Sequence, residues 1–394
     1  MYRWRTASAD SGVSATPLHP RFGVEDVAKS ADRSVVGQMS GYAVSYVRWA
    51  MSARSALGDY RRAVTAREPT PKVVYVLGPG RSGTGVLGRV LSTIEGTVFA
   101  GELRRLWSRG LRPGRTCACG QPHAECEVWS KLLVPGAAFA EPSLAEVGRI
   151  QKQVAPEHLG WRSALRLRRL SSPPPPTTAA GRYLAAYTEL HKAFARVTGA
   201  EVVIDSSKSA ADAALLAVRP DVMTYVVQIL RDPRGVVFSL QNHAAKRTGL
   251  GPHLLAVRAA VRWVAKHLTN EAIRRRYGPD RSILLRYEQL IEDPRGTVEA
   301  VAKLVGQPSP LVDLTPGVPI RVPEVHGPDG SKRRRFVTNE VVLQLDTRWQ
   351  RELHPVDRFL VTLLTYPLLR RYGYPIRTPR RKDPAERRTA IPKC

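Results

Sequence analysis

The sequence predicts an α/β fold, with a mostly parallel central sheet flanked by helices in three layers and a helical insertion between strands. Three observations carry this reading. Short apolar runs rich in Val, Ile, Leu and Tyr recur at 73–77, 202–204, 223–230 and 282–287. Each run ends in a polar turn. Each turn gives way to helical periodicity, and helices alternating with short buried strands are the pattern of a parallel sheet with crossover connections.

Taken in order, residues 1–70 read as an extension with polar stretches and a helical segment, "GYAVSYVRWAMSARSALGDYRRAV". The main domain is expected over 71–376. Within it, 101–199 reads as a helical, cysteine-containing insertion over the sheet edge. The run "SSPPPPTT" inside that segment cannot be helix interior and predicts a stiff surface loop. The run "FLVTLLTYPLL" at 359–369 is too short to span a bilayer and predicts a buried helix. The tail 377–394 has no apolar period and is expected to be mobile and basic. No internal repeat is evident.

The chain has 394 residues, 43% of them hydrophobic, enough for a real core, and a formal net charge of +27. Such a charge favours acidic small molecules, polyanions or anionic lipid surfaces as partners and says nothing about fold. The opening "MYRWRTASAD" has arginines but no apolar stretch of a signal peptide. Four cysteines make a disulfide framework unlikely for this length, and Cys394 is not in a CaaX box. The expected compartment is cytoplasmic, with peripheral contact to an anionic membrane surface left open.

The segment "VVYVLGPGRSGTGVLGRVL" carries the chemistry. Gly78, Gly80, Gly83 and Gly85 punctuate a strand-to-helix turn, which aims backbone N–H groups and the helix dipole at one spot. Ser82 and Thr84 add hydroxyl donors, and Arg81 adds a planar cation able to grip two oxygens. The turn is P-loop-like. Yet Thr84 and Gly85 occupy the places where a nucleotide hydrolase has K-[ST], so both the lysine for β/γ-phosphates and the magnesium-holding hydroxyl are missing. A tight glycine turn with no ligand is the plain alternative.

A second anion-binding element is expected in "VVQILRDPRGVVFSLQNH". Arg231 ends a strand. Asp232 suits a helix N-cap and Pro233 a first helical turn. Ser239 follows two turns into the helix, and Arg234 is a further cation. An Arg231–Asp232 pair is the plain alternative here.

In these two segments the chain resembles the sulfotransferases that use 3′-phosphoadenosine-5′-phosphosulfate (PAPS), as a bacterial member similar to the carbohydrate and tyrosylprotein types. The resemblance covers about 72–375. It implies that Gly80, Arg81, Ser82, Gly83 and Thr84 hold a 5′-phosphosulfate, and that Arg231 and Ser239 hold the 3′-phosphate. "LLRYEQLIEDP" resembles the segment whose tyrosine, here Tyr287, lies by the adenine. "VVIDSSKS" resembles the segment bearing a lysine near the transferred group, here Lys208. "HGPDGSKRRRF" resembles a late loop that closes over the 3′-phosphate, with Arg334 the carried-over residue and Arg333 and Arg335 the alternatives if the register shifts by one. "FAGELRRLW" resembles the segment of the catalytic base, here Glu102. It departs from the tyrosylprotein pattern, because Leu103 replaces a second glutamate. Gly85 likewise stands where many members have Thr or Ser. Glu102 is equally open to pairing with Arg104 or Arg105. The implied reaction is a metal-independent, in-line transfer of a sulfuryl group from PAPS to a hydroxylated acceptor: a glycan, a glycolipid or a small alcohol.

Two readings compete. One is a binder of nucleic acid or anionic membrane, argued from charge alone; no RRM, KH, zinc-finger or helix-turn-helix signature accompanies that charge, and no specific nucleic acid is expected. The other is a P-loop nucleotide kinase, which lacks its lysine. Separately, "CACGQPHAEC" packs Cys117, Cys119, His123 and Cys126 into one loop. Four soft ligands invite tetrahedral zinc, but C-x-C is not knuckle spacing and one short loop would have to wrap the ion. Reduced thiols or one local disulfide are the alternatives, and no metal ligand is assigned. His243 and His253 are given no role.

Overall fold

The structure is a computed structural model and describes residues 70–110, 112, 114–133, 144–154, 169–248, 251–328 and 339–376. The N-terminal extension, the tail from 377, and Arg333, Arg334 and Arg335 lie outside the described residues.

Five parallel strands form the central sheet in the order β2-β3-β1-β4-β5: β1 Lys72–Leu77, β2 Thr97–Phe99, β3 Val202–Asp205, β4 Met223–Leu230 and β5 Ser282–Arg286. The expected α/β class is what is found. Val73 to Leu77 are all buried, as a strand covered on both faces must be. Two details differ from expectation. A strand, β2, lies between the first two expected ones; three residues carry too little period to be read. Tyr287 belongs to the first turn of a short helix, Tyr287–Glu292, rather than to β5. A separate pair, β6 Pro319–Arg321 and β7 Glu340–Val342, runs antiparallel.

Alternation along β1 divides the core. Val74 and Val76 pack with helices α1 Thr84–Leu91 and, near the C-terminal side, Pro294–Val305. Val73, Tyr75 and Leu77 pack with α3 Ala179–Thr198 and α4 Ala210–Leu216, and with the end of α6 Pro252–Tyr277. These are the three layers. The segment 101–199, expected over the sheet edge, therefore supplies cover for a sheet face: α3 lays Tyr183, Tyr187, Leu190 and Phe194 onto the sheet, with α2 Leu144–Val154 behind it. The proline run ahead of α3 is exposed, as expected, and Thr178 caps the helix by accepting from the Gly181 amide at 3.1 Å.

Helix α5 Pro233–Thr248 follows β4, Pro294–Val305 is α7, and α8 Pro355–Arg371 packs on α5 and α6. The run 359–369 lies in α8, but it is not buried all round. Val361, Thr365, Leu368 and Leu369 face the core, while Phe359 and Leu363 are 65% and 59% exposed. Among the described residues only one stripe of this apolar run has a neighbour to pack on. Among the described residues no helix is long and apolar enough to cross a membrane.

Candidate active site

All five parallel strands end at one edge, and each end delivers an expected site residue. A cavity of about 810 Å³ lies there. It is lined by Gly80, Arg81, Gly83 and Thr84 after β1, Glu102 after β2, Lys208 after β3, Arg231 and Ser239 after β4, and Tyr287 after β5. Ligands of open α/β sheets collect outside the carboxyl ends of strands, near the point where strand order reverses. Here the chain crosses from β3 on one side of β1 to β4 on the other.

The glycine turn is shaped by contacts a side chain would prevent. Gly83 has φ 87° and caps α1, and a Cβ there would lie 2.4 Å from the Tyr287 ring. Gly80 has nothing within 4 Å of where its Cβ would be, so the backbone is open to the cavity. Ser82 is buried beneath the turn and does not line the cavity; its Oγ has no hydrogen-bond partner among the described residues. Arg81 has φ 74° and Lys208 φ 66°, the two non-glycine residues with positive φ among those described. Such backbone costs roughly 1–3 kcal/mol per residue and persists where the surroundings over-determine it.

The two anion elements meet directly. Arg81 Nε donates to Ser239 Oγ at 2.8 Å, and Arg231 Nη1 donates to the Arg81 carbonyl at 3.0 Å. The Arg231 guanidinium also lies 4.5 Å over the Tyr287 ring. Asp232 does not take Arg231. It pairs with buried Arg234 at 2.7 Å and caps α5 through the Arg234 amide. Arg234 in turn donates to the carbonyls of Pro375 and Ile376, so its work is structural. Glu288, next to Tyr287, accepts from the Asp232 amide at 3.1 Å and the Tyr374 hydroxyl at 2.8 Å; burial pushes its carboxyl up from the ordinary range. Trp263 Nε1 donates to the Arg231 carbonyl at 3.2 Å from behind.

On the other side, Glu102 Oε1 and Lys208 Nζ are 2.8 Å apart. Glu102 also pairs with Arg105, so the expected alternative of an arginine partner and the contact with Lys208 coexist. Lys208 donates to the Ser206 carbonyl at 2.8 Å. Its loop is pinned by buried Asp205, which accepts from the Tyr187 hydroxyl at 2.6 Å and the Ser207 amide at 2.8 Å and lies 3.1 Å from His191. The Ser206 amide reaches the Gly101 carbonyl at 2.7 Å and locks the end of β3 to the end of β2.

Among the described residues six basic side chains line the cavity, Arg81, Arg89, Arg105, Lys208, Arg231 and Arg348, against Glu102, Glu340 and Asp346. Asp346 lies 3.9 Å from Arg231, and a hydrogen bond from Arg348 holds its carboxyl below the usual range. Arg89 and Arg348 were not singled out from the sequence. Arg89 had a signal, a lone arginine in the apolar helix after the turn. Arg348 had none, since it arrives from a segment about sixty residues past Tyr287 with no motif of its own.

A family model described as "Sulfotransferase family" matches residues 71–310. Among solved structures, the chain is similar to the sulfotransferase domain from the Synechococcus PCC 7002 olefin synthase, at 19% identity over 79% of this chain and 98% of that one, with a TM-score of 0.42. It is similar to sulfotransferase STF9 from Mycobacterium avium at 15% identity, over 82% of each chain, with a TM-score of 0.40. It is also similar to the sulfotransferase from Alicyclobacillus acidocaldarius, at 13% identity over 78% of this chain and 98% of that one, TM-score 0.38. No curated protein sequence matches the chain. With the family model spanning more than half its length, the chain belongs to the sulfotransferase family.

Proposed function

We propose that this cleft moves a sulfuryl group from PAPS to a hydroxyl acceptor, a glycan, glycolipid or small alcohol. The observation that carries the reading is the joining of two groups in one cavity. Arg81, Ser239 and Arg231 form a hydrogen-bonded anion cradle, and the Glu102–Lys208 pair stands beside it. The fit to a bis-anionic nucleotide rests on an open glycine, a helix N-terminus, and an excess of arginine and lysine.

The donor supplies the activated sulfuryl group. Thr84 and the turn amides would hold its 5′ end, and Arg231 with Ser239 its 3′-phosphate. Tyr287, with the Arg231 guanidinium over its ring and one ring edge close to Gly83, would offer an aromatic wall to the base. Glu102 takes the proton of the acceptor hydroxyl as that oxygen forms its bond to sulfur. Lys208 meets the negative charge that develops on the bridging oxygen as the sulfur–oxygen bond to the phosphate breaks. For Lys208 to do so, the anion must compete for its ammonium with Glu102, which frees the carboxylate for the acceptor. Positioning and charge neutralisation are the main work asked of the protein in such in-line transfers.

Incubation of the purified protein with PAPS and a metabolite extract, followed by mass spectrometry, tests the reading. Products heavier by one SO₃, with adenosine 3′,5′-bisphosphate formed alongside, are expected. Phosphate transfer from ATP in place of sulfuryl transfer would return the loop to the kinase reading.

A further inference from the structure

The sequence alone assigns no metal ligand in "CACGQPHAEC", because one short segment would have to wrap the ion with Cys117, Cys119, His123 and Cys126. The structure offers a different set. His123 turns away: its Nε2 lies 3.1 Å from the Pro328 carbonyl and its ring packs edge-on to Trp129. His326, some two hundred residues along the chain, takes its place. The sulfurs of Cys117, Cys119 and Cys126 and one ring nitrogen of His326 all lie within 4.8 Å of one another. Cys126 Sγ lies 3.3 Å from His326 Nδ1 and Cys117 Sγ lies 4.0 Å from the same nitrogen. A tetrahedral zinc with Zn–S of about 2.3 Å and Zn–N of about 2.0–2.1 Å sets ligand separations of roughly 3.5–3.8 Å.

We propose that Cys117, Cys119, Cys126 and His326 bind one structural zinc ion that ties the 117–126 loop to the 322–328 segment. Three thiolates and an imidazole, closed to a fourth-position water, form a structural rather than catalytic set. Three further observations support it. Cys117, Cys126 and His326 are buried and Cys119 half-buried, and all three cysteines are free thiols. Backbone amides point at every sulfur: that of Cys119 at Cys117, that of Gln121 at Cys119, and those of Val128 and Trp129 at Cys126. And the other ring nitrogen of His326 faces Glu127 at 3.1 Å, the carboxylate–histidine arrangement that fixes the tautomer and orientation of a metal-ligating imidazole.

The ion explains why two remote segments meet where they do. Ala118, between two ligands, donates its amide to the Gly327 carbonyl at 2.9 Å, and Trp129 Nε1 donates to the His326 carbonyl at 2.8 Å. Ala118, Gly327 and Pro328 all line the cleft, and a Cβ on Gly101 would lie 3.0 Å from the Gly327 Cα. The staple therefore fixes the wall of the cleft beside Glu102.

Elemental analysis of the full chain, purified from zinc-supplemented cells, tests this. One equivalent of zinc is expected. Cys394→Ser should keep it, and Cys119→Ser and His326→Ala should lose it. Because those two variants could misfold, two measurements stand beside them. Glu127→Gln leaves the ligands intact and should weaken zinc binding about 10–100-fold. The wild-type chain refilled with cobalt should show the intense visible bands of a tetrahedral, thiolate-bound ion. Chelation should increase amide hydrogen exchange in 116–128 and 322–328 together. A folded, metal-free wild-type protein, a full equivalent of zinc in His326→Ala, octahedral cobalt spectra, or a Cys117–Cys126 disulfide found by peptide mapping would each overturn the proposal.

Discussion

On the β1–β4–β5 side of the cleft, Gly83, Arg81, Arg231, Ser239 and Tyr287 bear on one another within a few residues of three strand ends. On the β2–β3 side, Glu102 and Lys208 are held by Arg105, Gly101, Ser206 and Asp205, and the wall beyond them comes from Ala118 and the 326–328 segment. Both sides join stretches of chain one to two hundred residues apart. What differs is how each stretch is marked. On the first side each carries a local pattern of its own: a glycine turn, a helix start, a residue at a strand end. On the second, the wall of Ala118 and 326–328 carries none. Under the proposed reading the first side holds the donor and the second meets the acceptor, which the family fold does not fix.

The largest difference between the sides should appear on substituting Glu102. Glu102→Gln keeps the shape and removes the proton acceptor, so kcat should fall about 10²–10⁴-fold. Affinity for adenosine 3′,5′-bisphosphate, held by the other side, should stay near that of the wild type in titration calorimetry. Near-native kcat would remove Glu102 from the mechanism; a large loss of nucleotide affinity would mean that the two sides are not separable.

An intermediate effect should come from acid acting behind the cradle. His267 is fully buried, with Nδ1 3.3 Å from Gln228 Nε2 on β4 and its ring 4.3 Å from that of Trp263, the residue that supports the Arg231 carbonyl. Burial pushes its pKa down to about 3. The folded protein then binds fewer protons than the unfolded chain between about pH 3 and the ordinary histidine value near 6.5. The stability His267 contributes is thus complete above that ordinary value and is lost as pH falls below it, by at most about 1.4 kcal/mol per unit. Urea denaturation across that window should show a shallower pH slope in His267→Gln than in the wild type. Equal slopes would mean that His267 is not held neutral in the fold.

The comparison also sorts what could be read in the sequence. The parallel sheet, the turn 78–85 and the Arg231–Ser239 element were legible because each is a local pattern: an apolar run, glycines at fixed offsets, an Asp-Pro helix start. Strand β2 was not, being three residues long. The half-exposed face of α8 was not, because a helix apolar on all sides does not say which stripe will find a neighbour. The exchange of His123 for His326 in the cysteine cluster was hidden for the same reason as Arg348 at the cavity: nothing local marks a residue whose partners arrive from far along the chain. Arg234, noted only as a further cation, is a basic residue in the right segment that the fold pairs with Asp232 and the carbonyls of Pro375 and Ile376.

A smaller effect is expected from Ser239→Ala. It removes the acceptor of the Arg81 Nε hydrogen bond and one hydroxyl of the cradle. Nucleotide binding should weaken by about 0.5–1.5 kcal/mol for a neutral hydrogen bond, or by about 1.5–3 kcal/mol if the hydroxyl donates to the phosphate itself. The acceptor KM should not move. A shift in acceptor KM alone would put Ser239 on the wrong side of the cleft.

The claim on which both sides depend is that Arg231 reads a 3′-phosphate. Titration calorimetry of adenosine 3′,5′-bisphosphate and of adenosine 5′-phosphate, on the wild type and on Arg231→Ala, tests it most directly. The wild type should prefer the bisphosphate, and Arg231→Ala should lose about 1.5–3 kcal/mol for the bisphosphate with a much smaller loss for the monophosphate, so that the preference collapses. Equal losses for the two ligands would contradict the account.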